Sequence, residues 1–127
     1  MTAPIGIVIH FSQDLMFGST VSGAASGLGL EFKSTVNSTE VRDCAEAGIP
    51  ILLLADIGLP GLDLSELATA LPPSTLDDAV AYGPHVHREK LDLARSSGFG
   101  QVLSRGQFSS LLPGILASWA KTKTSDR

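Results

Sequence analysis

The chain has 127 residues, enough for one domain with a sizeable core but not for two. Hydrophobic residues make up 43% and charged residues 17%, which is the composition of a globular protein and excludes a disordered chain. The formal net charge is −4 and there is no long basic run, so nucleic acid is not an expected partner.

The single cysteine, Cys44, cannot form an internal disulfide. The first residues lack the basic start and long apolar core of a signal peptide, and no apolar run approaches the roughly 20 residues that span a bilayer. We therefore expect a cytoplasmic protein with no membrane partner.

The first strand and helix are predicted near the amino end. Residues 5–9 form a short aliphatic run that predicts strand 1, which ends at His10 and Phe11. Residues 13–28 carry apolar side chains at helical spacing, and Ser12 is placed to cap that helix.

A second strand and helix follow. Apolar and polar residues alternate over residues 30–36, a pattern that fits a partly exposed edge strand. Asn37 and Glu40 have the spacing of a capping box, which predicts a short helix that ends at Gly48.

Strand 3 is the centre of the predicted fold. Four consecutive aliphatic residues at 51–54 leave no polar face, which favours a central parallel strand covered on both sides. Asp56 follows at its carboxyl end, and Pro60 and Gly61 predict a turn beyond it. Ligands bind at this edge of open α/β sheets, so Asp56 is a candidate site residue; its alternative role is to cap the following loop.

The next helix and strand are separated by a proline pair. Asp63 and Glu66 repeat the capping spacing and begin a helix that the prolines at 72–73 end. Residues 79–82 predict strand 4, and the loop at residues 83–87 follows at its carboxyl end.

The remaining helices and strand complete the pattern. Residues 88–97 predict a fourth helix that stops at Gly98, and residues 101–104 predict a short fifth strand. The fifth helix has an apolar stripe formed by Leu111, Leu112, Ile115, Leu116 and Trp119.

The ends of the fifth helix are also predicted. Ser109 or Ser110 is placed to cap it, which confines Pro113 to the first turn. Residues 121–127 have nothing to bury and are expected to fray.

Five strands thus alternate with five helices in a single domain over residues 1–127, with a core at about residues 4–120. This alternation predicts a parallel α/β sheet. With the more polar strands 2 and 5 at the edges, the simplest order is 2-1-3-4-5, which is the flavodoxin-like three-layer α/β/α sandwich.

Residues 56–63, DIGLPGLD after an aliphatic strand, resemble the phosphoacceptor strand and following loop of CheY-like response-regulator receiver domains. The sequence AYGPH near strand 4 is similar to the corresponding receiver segment, and the resemblance covers roughly residues 5–120. It implies a CheY-like fold and a non-enzymatic role in two-component signal transduction, or phosphorelay. Asp56 stands at the position of the phosphorylated aspartate.

Several residues depart from the receiver pattern. The acidic pair that holds Mg²⁺ after strand 1 corresponds here to His10 and Phe11, whereas Mg²⁺ prefers carboxylate and water oxygens. Gly83 occupies the position of the Ser or Thr on strand 4 of receivers. Arg105, preceded by Ser104, occupies the position of the Lys on strand 5. Arginine keeps the charge but is not equivalent to lysine at a tight phosphoryl site.

Two further positions bear on the same chemistry. Val102 stands at the aromatic switch position of strand 5, so the aromatic rotation is lost. Asp14 is a candidate substitute acid, but it falls in the first turn of the first predicted helix.

These departures predict a degenerate receiver, or pseudo-receiver, that acts as a phosphorylation-independent protein-interaction module and needs no cofactor. In this hypothesis Arg105 pairs with Asp56 in place of phosphate chemistry. The alternative is a receiver that is phosphorylated on Asp56 and requires Mg²⁺.

The expected partners are proteins of a signalling pathway. The resemblance implies a homodimer through the fourth predicted helix, strand 5 and the fifth predicted helix. The candidate surface contributors are Arg88, Lys90, Arg95 and Gln101. The alternative for these residues is an ordinary solvated charged face.

Two other classes of function have weaker support. His10, Asp56, His85 and His87 fall at one edge of the predicted sheet, where they could bind Zn²⁺ or another transition metal; alternatively the histidines are solvated or hydrogen-bonded. A flavin or nucleotide enzyme would use a strand-to-helix turn, whereas the glycine-rich residues 22–29 lie inside or at the end of the first predicted helix.

Overall fold

A computed structural model of the protein describes residues 6–125. The strands are β1 (Ile7–Phe11), β2 (Glu31–Thr35), β3 (Ile51–Asp56), β4 (Val80–Gly83) and β5 (Gln101–Ser104). The helices in this range are α1 (Leu15–Ser26), α2 (Ser38–Glu46), α3 (Leu64–Thr69), α4 (Pro73–Asp78), α5 (Arg88–Ser96) and α6 (Arg105–Ser125). Residue 5 of predicted strand 1 and residues 126–127 of the predicted tail lie outside the described residues. No helix within residues 6–125 combines the length and apolar character that a membrane span requires.

The strands form one parallel sheet in the order β2-β1-β3-β4-β5, which confirms the predicted flavodoxin-like sandwich. Phe11 of β1 lies opposite Ala55 of β3, and Asp56 lies opposite Tyr82 of β4. All six residues of β3 are buried, as its aliphatic run predicts. Asp56 therefore ends a fully buried strand, at the carboxyl edge of the sheet.

Helices cover both faces of the sheet. One apolar cluster packs α2, α3 and α5 against fully buried strand residues such as Ile9 and Leu53. The other packs α1 and α6 against residues such as Val8 and Tyr82. Because side chains alternate along a strand, His10 points to the same face as Val8.

Polar side chains cap the first three helices. Asn37 and Asp63 cap α2 and α3, as their spacing predicts. Asp14 rather than Ser12 caps α1, which begins at residue 15 instead of residue 13. The prediction is wrong here because the Ser12 hydroxyl oxygen accepts from Asp14 N, which lies before the helix, while its hydrogen is donated to Asp56.

The described residues form six helices rather than the predicted five, since α4 is an additional helix between β3 and β4, and the start of α6 also differs from the prediction. The prolines at 72–73 follow α3, but they also begin α4, because proline is tolerated in the first turn of a helix. The start of α6 is Arg105, where Ser104 and Gln107 form a capping box: Gln107 N donates to Ser104 Oγ at 3.2 Å, and Ser104 N donates to Gln107 Oε1 at 2.9 Å. Pro113 consequently lies inside the helix, where it is exposed to solvent.

The early start of α6 changes which residues face the core. Neither Ser109 nor Ser110 caps the helix, since both lie inside it. Leu111 of the predicted stripe is 50% exposed, while Phe108, one turn earlier, is fully buried. The helix also continues to Ser125, although the predicted frayed tail begins at residue 121.

Candidate functional site

Asp56 lies at the carboxyl end of β3 with 8% of its surface exposed. Its Oδ2 accepts a hydrogen bond from Ser12 Oγ at 2.7 Å, and its Oδ1 accepts one from Gly58 N at 2.9 Å. Ser12, in the turn after β1, is itself buried. Among the described residues no basic side chain forms an ion pair with Asp56. Two neutral donors therefore hold the carboxylate.

His10 is the fourth residue of β1 and is fully buried, whereas the metal-site hypothesis places it at the edge of the sheet. Its Nε2 lies 2.6 Å from the Tyr82 hydroxyl, while its Nδ1 is buried without a hydrogen-bond partner in the described range. Burial lowers the pKa of His10, and the nearby carboxylates of Asp56 and Asp14 oppose this shift only in part. The imidazole is therefore neutral at pH 7.

Aromatic rings surround the pair formed by His10 and Tyr82. Tyr82 stacks on Phe108 with ring centroids 4.0 Å apart, and Phe17 meets Tyr82 edge-on at 5.8 Å. Burial raises the pKa of the Tyr82 hydroxyl well above its usual value, and Asp56 raises it further. The sequence does not single out Tyr82 or Phe108, although strand alternation places Tyr82 on the face that His10 occupies.

Arg105 pairs with Asp14, not with Asp56. Its Nη2 lies 2.6 Å from Asp14 Oδ2, and its guanidinium lies 5.5 Å from the ring centroid of Phe17. The backbone hydrogen bond from Phe17 and the bond from Arg105 lower the pKa of the Asp14 carboxyl. The predicted pairing with Asp56 is wrong because Arg105, at the start of α6, lies against Asp14 and Phe17 at the start of α1.

Gly83, at the end of β4, has no room for a side chain. A Cβ at this position would collide with Cγ1 of Ile57 and lie 2.9 Å from its Cδ1. Ile57, the residue that follows β3, is fully buried. The space in which a hydroxyl side chain would approach Asp56 is therefore filled by an aliphatic group.

Known structures with a similar backbone identify the fold. The receiver domain of a sensor histidine kinase from Pseudomonas aeruginosa, with a magnesium ion in its active-site cleft, has a TM-score of 0.69 and 15% identity, over 94% of this chain and 99% of that chain. The receiver domain of NtrX from Brucella abortus has a TM-score of 0.65 and 19% identity, over 95% of this chain and 99% of that chain. The beryllofluoride-activated NtrC4 receiver domain, a dimer, has a TM-score of 0.65 and 12% identity, over 91% of this chain and 98% of that chain.

The chain has the response-regulator receiver fold. No family model and no curated protein matches the sequence. The likeness is therefore one of backbone architecture, and the chemistry of the site has to be judged from this chain's own residues.

On this receiver fold, the residues that stand in place of the acidic pair belong to the two apolar cores. His10 is enclosed between the sheet and helices α1 and α6, and Phe11, 3% exposed, packs on the opposite face. Asp14, the candidate substitute acid, caps α1 and pairs with Arg105. Ser104 is used in the cap of α6.

The predicted metal ligands are not brought together. His10 is bonded to Tyr82 inside the receiver fold, whereas His85 and His87 lie on the loop between β4 and α5. Within residues 6–125 no group of three or more His, Cys, Asp or Glu side chains is arranged to hold a metal ion. The predicted grouping of these histidines with Asp56 is therefore wrong.

The contact between Gly83 and Ile57 can be tested by a double-mutant cycle. Gly83→Ser adds a side chain in a filled space and should cost about 1–3 kcal/mol of unfolding free energy. Ile57→Ala should cost about 2–5 kcal/mol, since it opens a cavity. The double variant should lose less than the sum, because the cavity accepts the serine. Urea unfolding measures all four proteins, and strictly additive losses would contradict the collision.

The buried imidazole predicts a pH-dependent stability. Because the pKa of His10 is lower in the folded chain than the usual 6.5, the unfolded chain takes up the proton first as the pH falls. Wild type should therefore lose stability below about pH 6.5, at no more than about 1.4 kcal/mol per pH unit from this group, until the folded-state pKa is passed.

Unfolding free energies measured from pH 7.5 to pH 5 should fall less steeply for His10→Gln than for wild type. The exposed His85→Gln serves as the control and should keep the wild-type slope. Identical slopes for all three proteins would show that His10 does not titrate differently in the folded and unfolded states.

Proposed function

We propose that this chain is a degenerate receiver that acts as a phosphorylation-independent protein-interaction module in two-component-type signalling. The observation that carries the proposal is the state of Asp56, whose oxygens are held by Ser12 and Gly58, with no ion-pair partner among the described residues. In this proposal the chain is not an enzyme and needs no cofactor.

The surroundings of Asp56 oppose its phosphorylation. Phosphoryl transfer depends on positioning and on stabilisation of negative charge, and the product adds a dianion to a nearly buried site. Arg105 is committed to Asp14 at 2.6 Å, and His10 is neutral and buried. The alternative is a receiver phosphorylated on Asp56 with Mg²⁺. It would require the hydrogen bond from Ser12 to Asp56 to break and Asp14 to leave the N-cap position of α1.

Exposed leucines flank the edge strand β5 and support a protein partner. Leu93 on α5 is 47% exposed, and Leu111 on α6 is 50% exposed. Arg88 and Lys90, also on α5, are exposed as well. A surface that offers both apolar and charged side chains suits a protein interface. In this proposal the α5–β5–α6 face binds the partner and forms a homodimer; the NtrC4 receiver is a dimer in its own structure.

A two-dimensional NMR titration with Mg²⁺ and then beryllofluoride tests the state of Asp56. We expect no saturable shifts at the amides of Gly58, Gly83 and Arg105, since the site offers neither metal ligands nor a free carboxylate. Shifts that appear only when both are present, and that vanish in Asp56→Asn, would establish the phosphoacceptor alternative instead.

Sedimentation equilibrium tests the α5–β5–α6 face. The mass of wild type should rise above the 13.2 kDa monomer with concentration, and the double variant Leu93→Asp, Leu111→Asp should remain monomeric, because interface cores exclude charge. Leu15→Asp is the matched control, since Leu15 on α1 is 79% exposed, and it should still associate. A wild type that stays monomeric at every concentration would refute the homodimer.

A further inference from the structure

A groove of about 280 Å³ lies at the carboxyl edge of the sheet, on the face covered by α2 and α3. Its floor consists of Phe11, Leu59 and Leu67, which are 3%, 6% and 1% exposed. Val36, on its wall, is 56% exposed although it is large and apolar. Small-molecule pockets usually measure about 300–1,000 Å³, so this groove has room for one long side chain rather than for a nucleotide.

The rim of the groove is acidic and not neutralised. Asp63 Oδ1 accepts from Glu66 N at 3.0 Å, and Glu66 Oε1 accepts from Ser38 Oγ at 2.7 Å, so each carboxylate keeps its second oxygen for another donor. Within the described residues neither acid has an ion-pair partner, and the lining includes no basic side chain. An apolar floor thus meets a negative rim.

We infer that this groove binds an arginine side chain of a partner protein. The methylene stem lies above the buried floor and packs on the exposed Val36 of the wall, as arginine stems do on apolar surfaces while the charged end stays in a polar environment. The guanidinium meets Asp63 and Glu66. Its planar set of five donors can serve acceptors on two side chains at once, whereas the ammonium of lysine is a compact point charge.

The exposed Val36 indicates a peptide rather than a free amino acid. Val36 extends the apolar surface beyond the groove. The backbone and neighbouring side chains of a bound peptide would lie there. The inference goes beyond the proposed function, because no side chain of the groove hydrogen-bonds to the Asp56 carboxylate. Its failure would leave the beryllofluoride titration unaffected.

Titration of the full ¹⁵N-labelled chain with acetyl-Ala-Arg-Ala-amide, at constant ionic strength, tests the assignment. We expect saturable shifts at the amides of Val36, Gly61 and Leu62. The same peptide with citrulline, the neutral isostere of arginine, should bind at least about tenfold more weakly, because the charge-assisted hydrogen bonds are lost.

Variants of the rim give the second readout. Asp63→Asn with Glu66→Gln should weaken the arginine peptide at least about tenfold. The cap of α3 is kept, because asparagine caps helices as well as aspartate does. Asp43→Asn with Glu46→Gln removes the same charge from exposed positions of α2 and should leave the affinity unchanged.

Three results would overturn the inference: no shifts with the arginine peptide, equal binding of the arginine and citrulline peptides, or equal losses in the rim and control variants. Free L-arginine that binds as tightly as the peptide would assign the groove to a small organic cation and overturn the protein partner.

Discussion

Burial of β3 on both faces of the sheet determines how Asp56 is held. All six residues of the strand are buried, so its terminal carboxylate lies in a space that neighbouring elements already enclose. A buried carboxylate is costly unless donors satisfy it. Ser12 and Gly58 supply those donors from the two loops that meet at this edge. Both oxygens of Asp56 are thereby hydrogen-bonded, and the loop after β1 is tied to the end of β3.

Packing rather than charge fills the positions around Asp56. His10 is a neutral imidazole bonded to Tyr82, and Ile57 occupies the volume beside Gly83. Each residue belongs to the core as well as to the site. Because protein interiors are close-packed, a change at one of these positions has to be met by a change at its neighbour. A single substitution at one of these positions would therefore disturb its neighbours, and this coupling agrees with the proposed interaction module.

Periodicity and caps determine what the sequence predicts correctly. The buried strand β3, the strand order and the placement of Asp56 at the carboxyl edge are confirmed. Contacts between residues far apart in the chain leave no local pattern. Arg105 meets Asp14 across 91 residues, and His10 meets Tyr82 across 72. The early start of α6 does have a local signal, a capping box, but the apolar stripe further along the helix points to a later start.

In the proposed function, the carboxylate of Asp56 stays bonded to Ser12 and Gly58, and a phosphoryl donor does not shift the chain to a second state. A ligand shifts an equilibrium only by the difference between its affinities for two states. Regulation of such a module then depends on the concentrations and affinities of its partners. The α5–β5–α6 face and the groove at Asp63 and Glu66 lie toward opposite edges of the five-stranded sheet, with β4 between them. If both proposed surfaces are used, one copy would hold a second copy and a basic segment of another protein at the same time, and it would act as a scaffold rather than a switch.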